Sequence, residues 1–108
     1  MDYKINIKPL SINQAFKGRR YKTDKCNLFI KEVLSLLPKN IDYPDKKNVK
    51  LAIEFGFSSN ACDCSNHIKI FEDCIVKKYG VDDRYTYEMH IFKNIVKKGE
   101  EYIKFKIY

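Results

Sequence analysis

The stretch Asn60-Ala61-Cys62-Asp63-Cys64-Ser65-Asn66 leads from an alternating apolar run into a segment of helical periodicity that carries Lys69, and Asp82-Asp83 follows that segment. Carboxylates gathered near a lysine suit a hard divalent cation held against a phosphate. Mg2+ takes oxygen ligands at about 2.1 Å and keeps waters that it shares with a phosphate. Such an ion polarises a phosphodiester and lowers the pKa of the attacking water. Asp63 and the Asp82-Asp83 pair are therefore the candidate metal ligands, with Lys69 beside them as a candidate phosphate contact. Taken singly, each aspartate is also an ordinary cap or turn residue. Their combination with Lys69 is what carries weight, because Ser65, Lys69 and Asp73 follow one another at i+4 steps and share one helix face. Lys69 there either meets a phosphate and stabilises developing negative charge, or forms a surface pair with Asp73.

Two other constellations compete for attention. Cys62-x-Cys64-x-x-His67, with Cys74 on the same helix, offers the thiolates and imidazole that Zn2+ prefers, but structural zinc usually takes C-x2-4-C pairs and the one-residue gap is poor for it. Lys17-Gly18-Arg19-Arg20-Tyr21-Lys22 gathers cations around one glycine. Lys17, Arg19, Arg20 and Lys22 suit phosphate contacts, and Tyr21 or Phe16 suits stacking on an unpaired base.

The elements that must position these groups follow from the apolar pattern. Tyr3 to Ile7 alternates as a first strand, stopped by Pro9. Lys8 to Thr23 reads as a loop. Lys25 to Leu37 is an amphipathic helix capped by Thr23 or Asp24, with Leu28, Phe29, Val33, Leu36 and Leu37 on one side and Pro38 after it. An exposed connection from Asn40 to Asn48 leads to a strand, Val49 to Phe57, whose odd positions are apolar and whose other face carries Lys50, Ala52, Glu54 and Gly56. Asn66 to Tyr79 is a second helix with Ser65 or Asp63 as cap, Ile68, Phe71, Ile75 and Tyr79 as core, and Gly80 as its stop. Tyr85 to Val96 and Tyr102 to Tyr108 read as strands joined in a hairpin by Lys97-Lys98-Gly99-Glu100-Glu101. His90 is expected to be exposed. The expected fold is α+β, a small mixed β-sheet with two helices on one face in the order β-α-β-α-β-β.

At 108 residues the chain fits one domain over 1–108 with one core. Its formal charge of +7 favours polyanionic partners such as nucleic acid. No apolar run approaches the ~20 residues of a membrane span. The amino terminus lacks the apolar stretch of a secretory signal, and four cysteines without a disulfide-like spacing fit a reducing compartment, so a cytoplasmic protein without a membrane partner is expected.

Three stretches together resemble the RusA-type Holliday-junction resolvases: Lys8-Pro9-Leu10-Ser11-Ile12-Asn13 with Gly18-Arg19-Arg20-Tyr21; Asp63-Cys64-Ser65-Asn66 with Lys69 and Asp73; and Tyr79-Gly80-Val81-Asp82-Asp83. The central motif of that family is similar to Asp-x-Asp-Asn followed three residues later by lysine, with a further aspartate after the helix. The resemblance implies a homodimeric Mg2+-dependent endonuclease, with Mn2+ as a substitute ion, that binds four-way or branched DNA and nicks two strands symmetrically. It makes Asp63 the first metal ligand, Lys69 the catalytic lysine and Asp83 or Asp82 the last ligand. Asn13 and Asn66 join Lys17, Arg19, Arg20, Tyr21, Lys22 and Lys69 as expected DNA contacts. Ser65 stands where the family has its second aspartate. A hydroxyl ligates Mg2+, but it removes one negative charge and weakens metal retention. Glu54 is the candidate replacement carboxylate. The alternatives are a junction-binding protein that does not cut and a zinc-stabilised interaction domain.

Overall fold

The computed structural model describes residues 3–11, 16–17, 21–41 and 47–108, with backbone alone at 16, 17, 21 and 66. The order is β1 (Tyr3–Ile5), β2 (Phe16–Lys17), β3 (Tyr21–Lys22), α1 (Asp24–Leu36), β4 (Val49–Phe57), α2 (Ser65–Tyr79), a 3-10 turn (Asp83–Tyr85), β5 (Thr86–Ile95) and β6 (Tyr102–Ile107). Four strands form one mixed sheet in the order β1-β6-β4-β5, and β2 pairs with β3 in a separate two-stranded ribbon. This is the expected α+β fold, with both helices on one face of the sheet.

β4 is the centre of the sheet because both of its faces are apolar enough to be buried. Leu51, Ile53, Phe55 and Phe57 face the helices, while Ala52 and Gly56 allow close approach on the opposite face. Ile103, Phe105 and Ile107 of β6 lie beside that odd-numbered row, and Phe71 of α2 meets Phe105 edge-on at 5.6 Å. Full burial of each such aromatic or aliphatic side chain is worth roughly 1.5–3 kcal/mol. Cys26, Phe29, Val33 and Leu37 bring α1 into the same core.

The pairing of the last two strands departs from the hairpin expected. β5 runs parallel to β4 on one side, and β6 runs antiparallel to β4 on the other. The link 96–101 therefore crosses the end of β4, a span of about 10 Å, or two strand spacings. Val96 N–H donates to Phe57 O and seats the end of β5, while Gly99 at φ 94° turns the chain back. The cause is a difference in apolar content. Tyr102 to Ile107 buries four of its six residues and leaves none exposed, which suits a strand with two neighbours, whereas β5 is largely exposed and fits only an edge.

Helix ends obey local rules. Thr23 caps α1 by accepting from Cys26 N–H at 3.1 Å. Gly80 closes α2 in the left-handed region at φ 69°, its N–H bonded to Val76 O. Leu28 and Leu36, expected in the core, are exposed instead, because the buried stripe of α1 runs through Cys26, Phe29, Val33 and Leu37. On α2 the stripe runs through Ile70, Phe71, Cys74 and Ile75, leaving Ile68 and Tyr79 only partly covered. Among the described residues, no helix is long and apolar enough to cross a membrane.

Candidate functional site

Asp63 lies in the link from β4 to α2, and its carboxylate is turned onto the next turn of chain. Oδ1 accepts from Ser65 Oγ at 2.9 Å and from Ser65 N–H at 3.0 Å. These two bonds, the hydroxyl's first, hold the Asp63 carboxyl below the usual carboxylate range. The N-cap of α2 is Cys64, which makes no side-chain cap bond; Asp63 acts one residue earlier and Ser65 is already helical, which corrects both expected caps.

The main chain of Asp63 is held by a residue assigned elsewhere from sequence. His67 is buried against the stacked rings of Phe55 and Phe57, at centroid distances of 5.9 and 4.7 Å, and its Nδ1–H donates to Asp63 O at 2.7 Å. Burial lowers its pKa and keeps the imidazole neutral. Lys93 fixes the same link from β5, donating to Asn60 O at 2.8 Å and to Cys62 O at 2.6 Å. Sequence reading passed over Lys93, although its odd parity on β5 places it on the helix-covered face.

Lys69 joins two parts of the motif. Its Nζ lies 3.1 Å from Asp83 Oδ2 and 3.2 Å from Asp73 Oδ1. The bond to Asp83, then that to Asp73, raises the lysine pKa and keeps it cationic. Asp82 turns away: its Oδ1 accepts from Arg84 N–H at the start of the 3-10 turn and its Oδ2 pairs with Arg84 Nε at 3.1 Å. Asp83, not Asp82, thus faces Lys69. Glu72 is a further member that sequence reading missed. Half-buried, it has its pKa raised by burial, with Lys69 opposing and Asp83 and Asp73 adding to the rise. Its position three residues after Lys69 was the available signal.

Glu54 does not join this group. Even-numbered β4 residues face away from the helices, and there Glu54 Oε2 accepts from Tyr102 OH at 2.6 Å, with Lys104 at 3.8 Å. Strand parity thus separates it from the Asp63 turn. Cys62 and Cys64 are half-buried near Asp63, while Cys74 lies in the helix core, where burial pushes its thiol up to about 12. Among the described residues, no three His, Cys, Asp or Glu side chains converge to hold a metal. Two oxygens do have suitable spacing: the 2.9 Å between Asp63 Oδ1 and Ser65 Oγ approximates the edge of about 3.0 Å of an octahedron with ~2.1 Å bonds. That donor pair fits an ion whose remaining ligands are water and phosphate.

Of the expected DNA contacts, Asn13, Arg19 and Arg20 lie outside the described residues. Lys17 and Tyr21 are register partners on β2 and β3, and Asn66 sits in the first turn of α2, all three with side chains outside the described set. Lys22 is exposed on β3. The chain matches no protein-family model and no curated protein.

Proposed function

We propose that this chain is a Mg2+-dependent endonuclease acting on branched DNA, in the manner of the RusA-type resolvases that its three sequence stretches resemble. The observation that supports the reading is the 3.1 Å contact between Lys69, near the start of α2, and Asp83, beyond its end, two residues to which the resemblance gives roles in one site.

Asp63 and Ser65 are the residues that would hold the ion. When bound, Mg2+ supplies a polarised phosphate and a more acidic water. Asp63 is a carboxylate at neutral pH, and its bonds from Ser65 hold its pKa lower still. His67 and Lys93 fix the turn that presents it. Lys69, cationic and half-exposed, offers its charge to the phosphate oxygens, while Asp73 and Asp83 hold it in place. A net charge of +7 draws the polyanion to the protein. The protein acts in the cytoplasm.

The test is incubation of a labelled four-way junction with and without Mg2+. Nicking that needs the ion, is eliminated by Asp63→Asn with binding spared, and is kept or raised by Ser65→Asp supports the proposal. No cleavage in either Mg2+ or Mn2+ sinks it. A second reading, a junction-binding protein that does not cut, is favoured by one observation: among the described residues no three ligand side chains converge. Tight gel shifts without products, and no ion bound in titration, are its outcome.

A further inference from the structure

The two edges of the main sheet differ in length and protection. β1 closes one side with three residues, whereas β5 closes the other with ten. Among the described residues β5 pairs with β4 alone, and its register continues unbroken from Glu88 to Ile95. Val96 N–H points at β4. By alternation, residues 87, 89, 91, 93 and 95 turn their N–H and C=O groups to the open side.

Protein edges of this length are normally guarded by proline, a bulge or a protruding lysine. β5 contains no proline, and the one register shift lies at its start, between Val49 and Lys50. Its lysine, Lys93, is drawn back over the β4 to α2 link by its bonds to Asn60 and Cys62. Glu88 is paired with Lys50 at 3.8 Å and lies 3.4 Å from His90. Left outermost are Tyr87, Phe92 and Ile95, which are 69%, 49% and 48% exposed. Tyr87 and Ile95 stand on one face of the strand and Phe92 on the other, so both faces carry apolar surface along an edge that is open among the described residues.

We infer that β5 pairs antiparallel with β5 of a second copy of this chain, about a two-fold axis at Ile91, to join the two sheets into one. The strand's own sequence selects that partner. An antiparallel pair must place outward-facing residues opposite one another, and a two-fold at Ile91 does so along the whole strand. Tyr87 then meets Ile95 of the second copy, His90 meets Phe92, Ile91 meets itself, and Glu88 meets Asn94. No like charges are opposed, and each exposed apolar side chain finds a ring or an aliphatic neighbour. Moving the axis to His90 opposes the two imidazoles, sets Tyr87 against Lys93 and Glu88 against Phe92, and leaves Ile95 without an opposite residue on the strand. The resemblance implies a dimer but no surface; the surface and register come from β5, and neither depends on a metal site.

Sedimentation velocity of the full chain across a concentration series tests the inference. A reversible dimer is expected. Tyr87→Asp or Ile95→Lys alone is expected to weaken association on the order of tenfold to a hundredfold, because each buries a charge against an apolar partner. Mixing the two variants restores association, since the carboxylate introduced at position 87 faces the ammonium introduced at position 95, and the second such pair stays native. Circular dichroism shows both variants folded, and Leu28→Asp, an exposed apolar site on α1, leaves association unchanged. A monomer at every concentration overturns the inference, and so does a dimer indifferent to Tyr87→Asp. Failure of the mixture to recover overturns the register.

Discussion

The side chain that most constrains the Asp63 turn is His67, whose ring packs against the stacked rings of Phe55 and Phe57 while its Nδ1–H satisfies Asp63 O. His67→Ala removes ring packing and leaves a part-buried carbonyl unpaired, so it is expected to cost roughly 2–4 kcal/mol of stability, read by urea unfolding. The same burial sets a pH dependence. Its folded pKa lies below the unfolded value of about 6.5, so the unfolded chain takes up the proton first. The stabilisation is complete above that value and is lost as pH falls through it. The advantage in Tm of the wild type over His67→Gln therefore shrinks between pH 7.5 and 5. Glu72 has the opposite sign. Burial raises its folded pKa above the ordinary value of 4.5, so its ionisation destabilises the fold, and Glu72→Gln should melt higher at pH 7 with the gap closing as pH falls toward 4.5. Equal gaps at both pH values would contradict that account.

At the scale of elements, β4 shows how much one position controls. The Tyr102 ring lies flat on Gly56, where an added Cβ would sit 2.5 Å from Cδ1 and Cε1 of that ring. Tyr102 cannot retreat, because its hydroxyl is held by Glu54 and Asn94 and its ring lies within 4.8 Å of Lys4 Nζ and 5.1 Å of Lys104 Nζ. Gly56→Ala is therefore expected to cost about 1–3 kcal/mol by overpacking, measured in the same unfolding assay, and the loss should largely vanish when Tyr102→Ser opens the space. Such close approach leaves little trace in a sequence. Legible there were the four strands of the main sheet and both helices, the caps at Thr23 and Gly80, and the face parity of β4, all of which depend on neighbours within a few residues; the β2–β3 ribbon was not, since it lies in a segment without apolar periodicity that reads as a loop. The pairing of β5 and β6 was not, since local turn chemistry at Lys97 to Glu101 is the same whether the two strands pair or straddle β4. For the same reason the sequence placed Lys69 near the carboxylates but left Asp82 and Asp83 unresolved: the choice depends on the 3-10 turn, where Asp82 accepts from Arg84 N–H and Asp83 is left to face Lys69. Glu54 was misjudged because sharing an alternating strand says which face a residue takes, not which face the helices cover.

At the scale of the whole molecule, charge and apolar surface oppose one another. Each chain carries +7, so two chains joined through β5 repel, while the contacts proposed to join them are main-chain hydrogen bonds and the exposed Tyr87, Phe92 and Ile95. Salt screens the repulsion, with a Debye length of about 30 Å at 0.01 M and about 10 Å at 0.1 M. The chain is about 34 Å across its longest extent, so the lower ionic strength lets charges on the two copies interact and the higher one largely does not. Self-association is therefore expected to tighten as salt rises. Binding to DNA must move the other way, because each neutralised phosphate releases condensed counterions and log K falls with log salt at about −0.9 per contact on a duplex. At low salt, DNA itself supplies the screening, so adding a four-way junction should shift monomer to dimer under conditions where the free protein is mostly monomeric. Sedimentation of the protein alone and with junction, at low and high salt, reads all three effects. If self-association instead weakens as salt rises, ion pairs hold the copies together, and the apolar edge of β5 is not the surface that joins them.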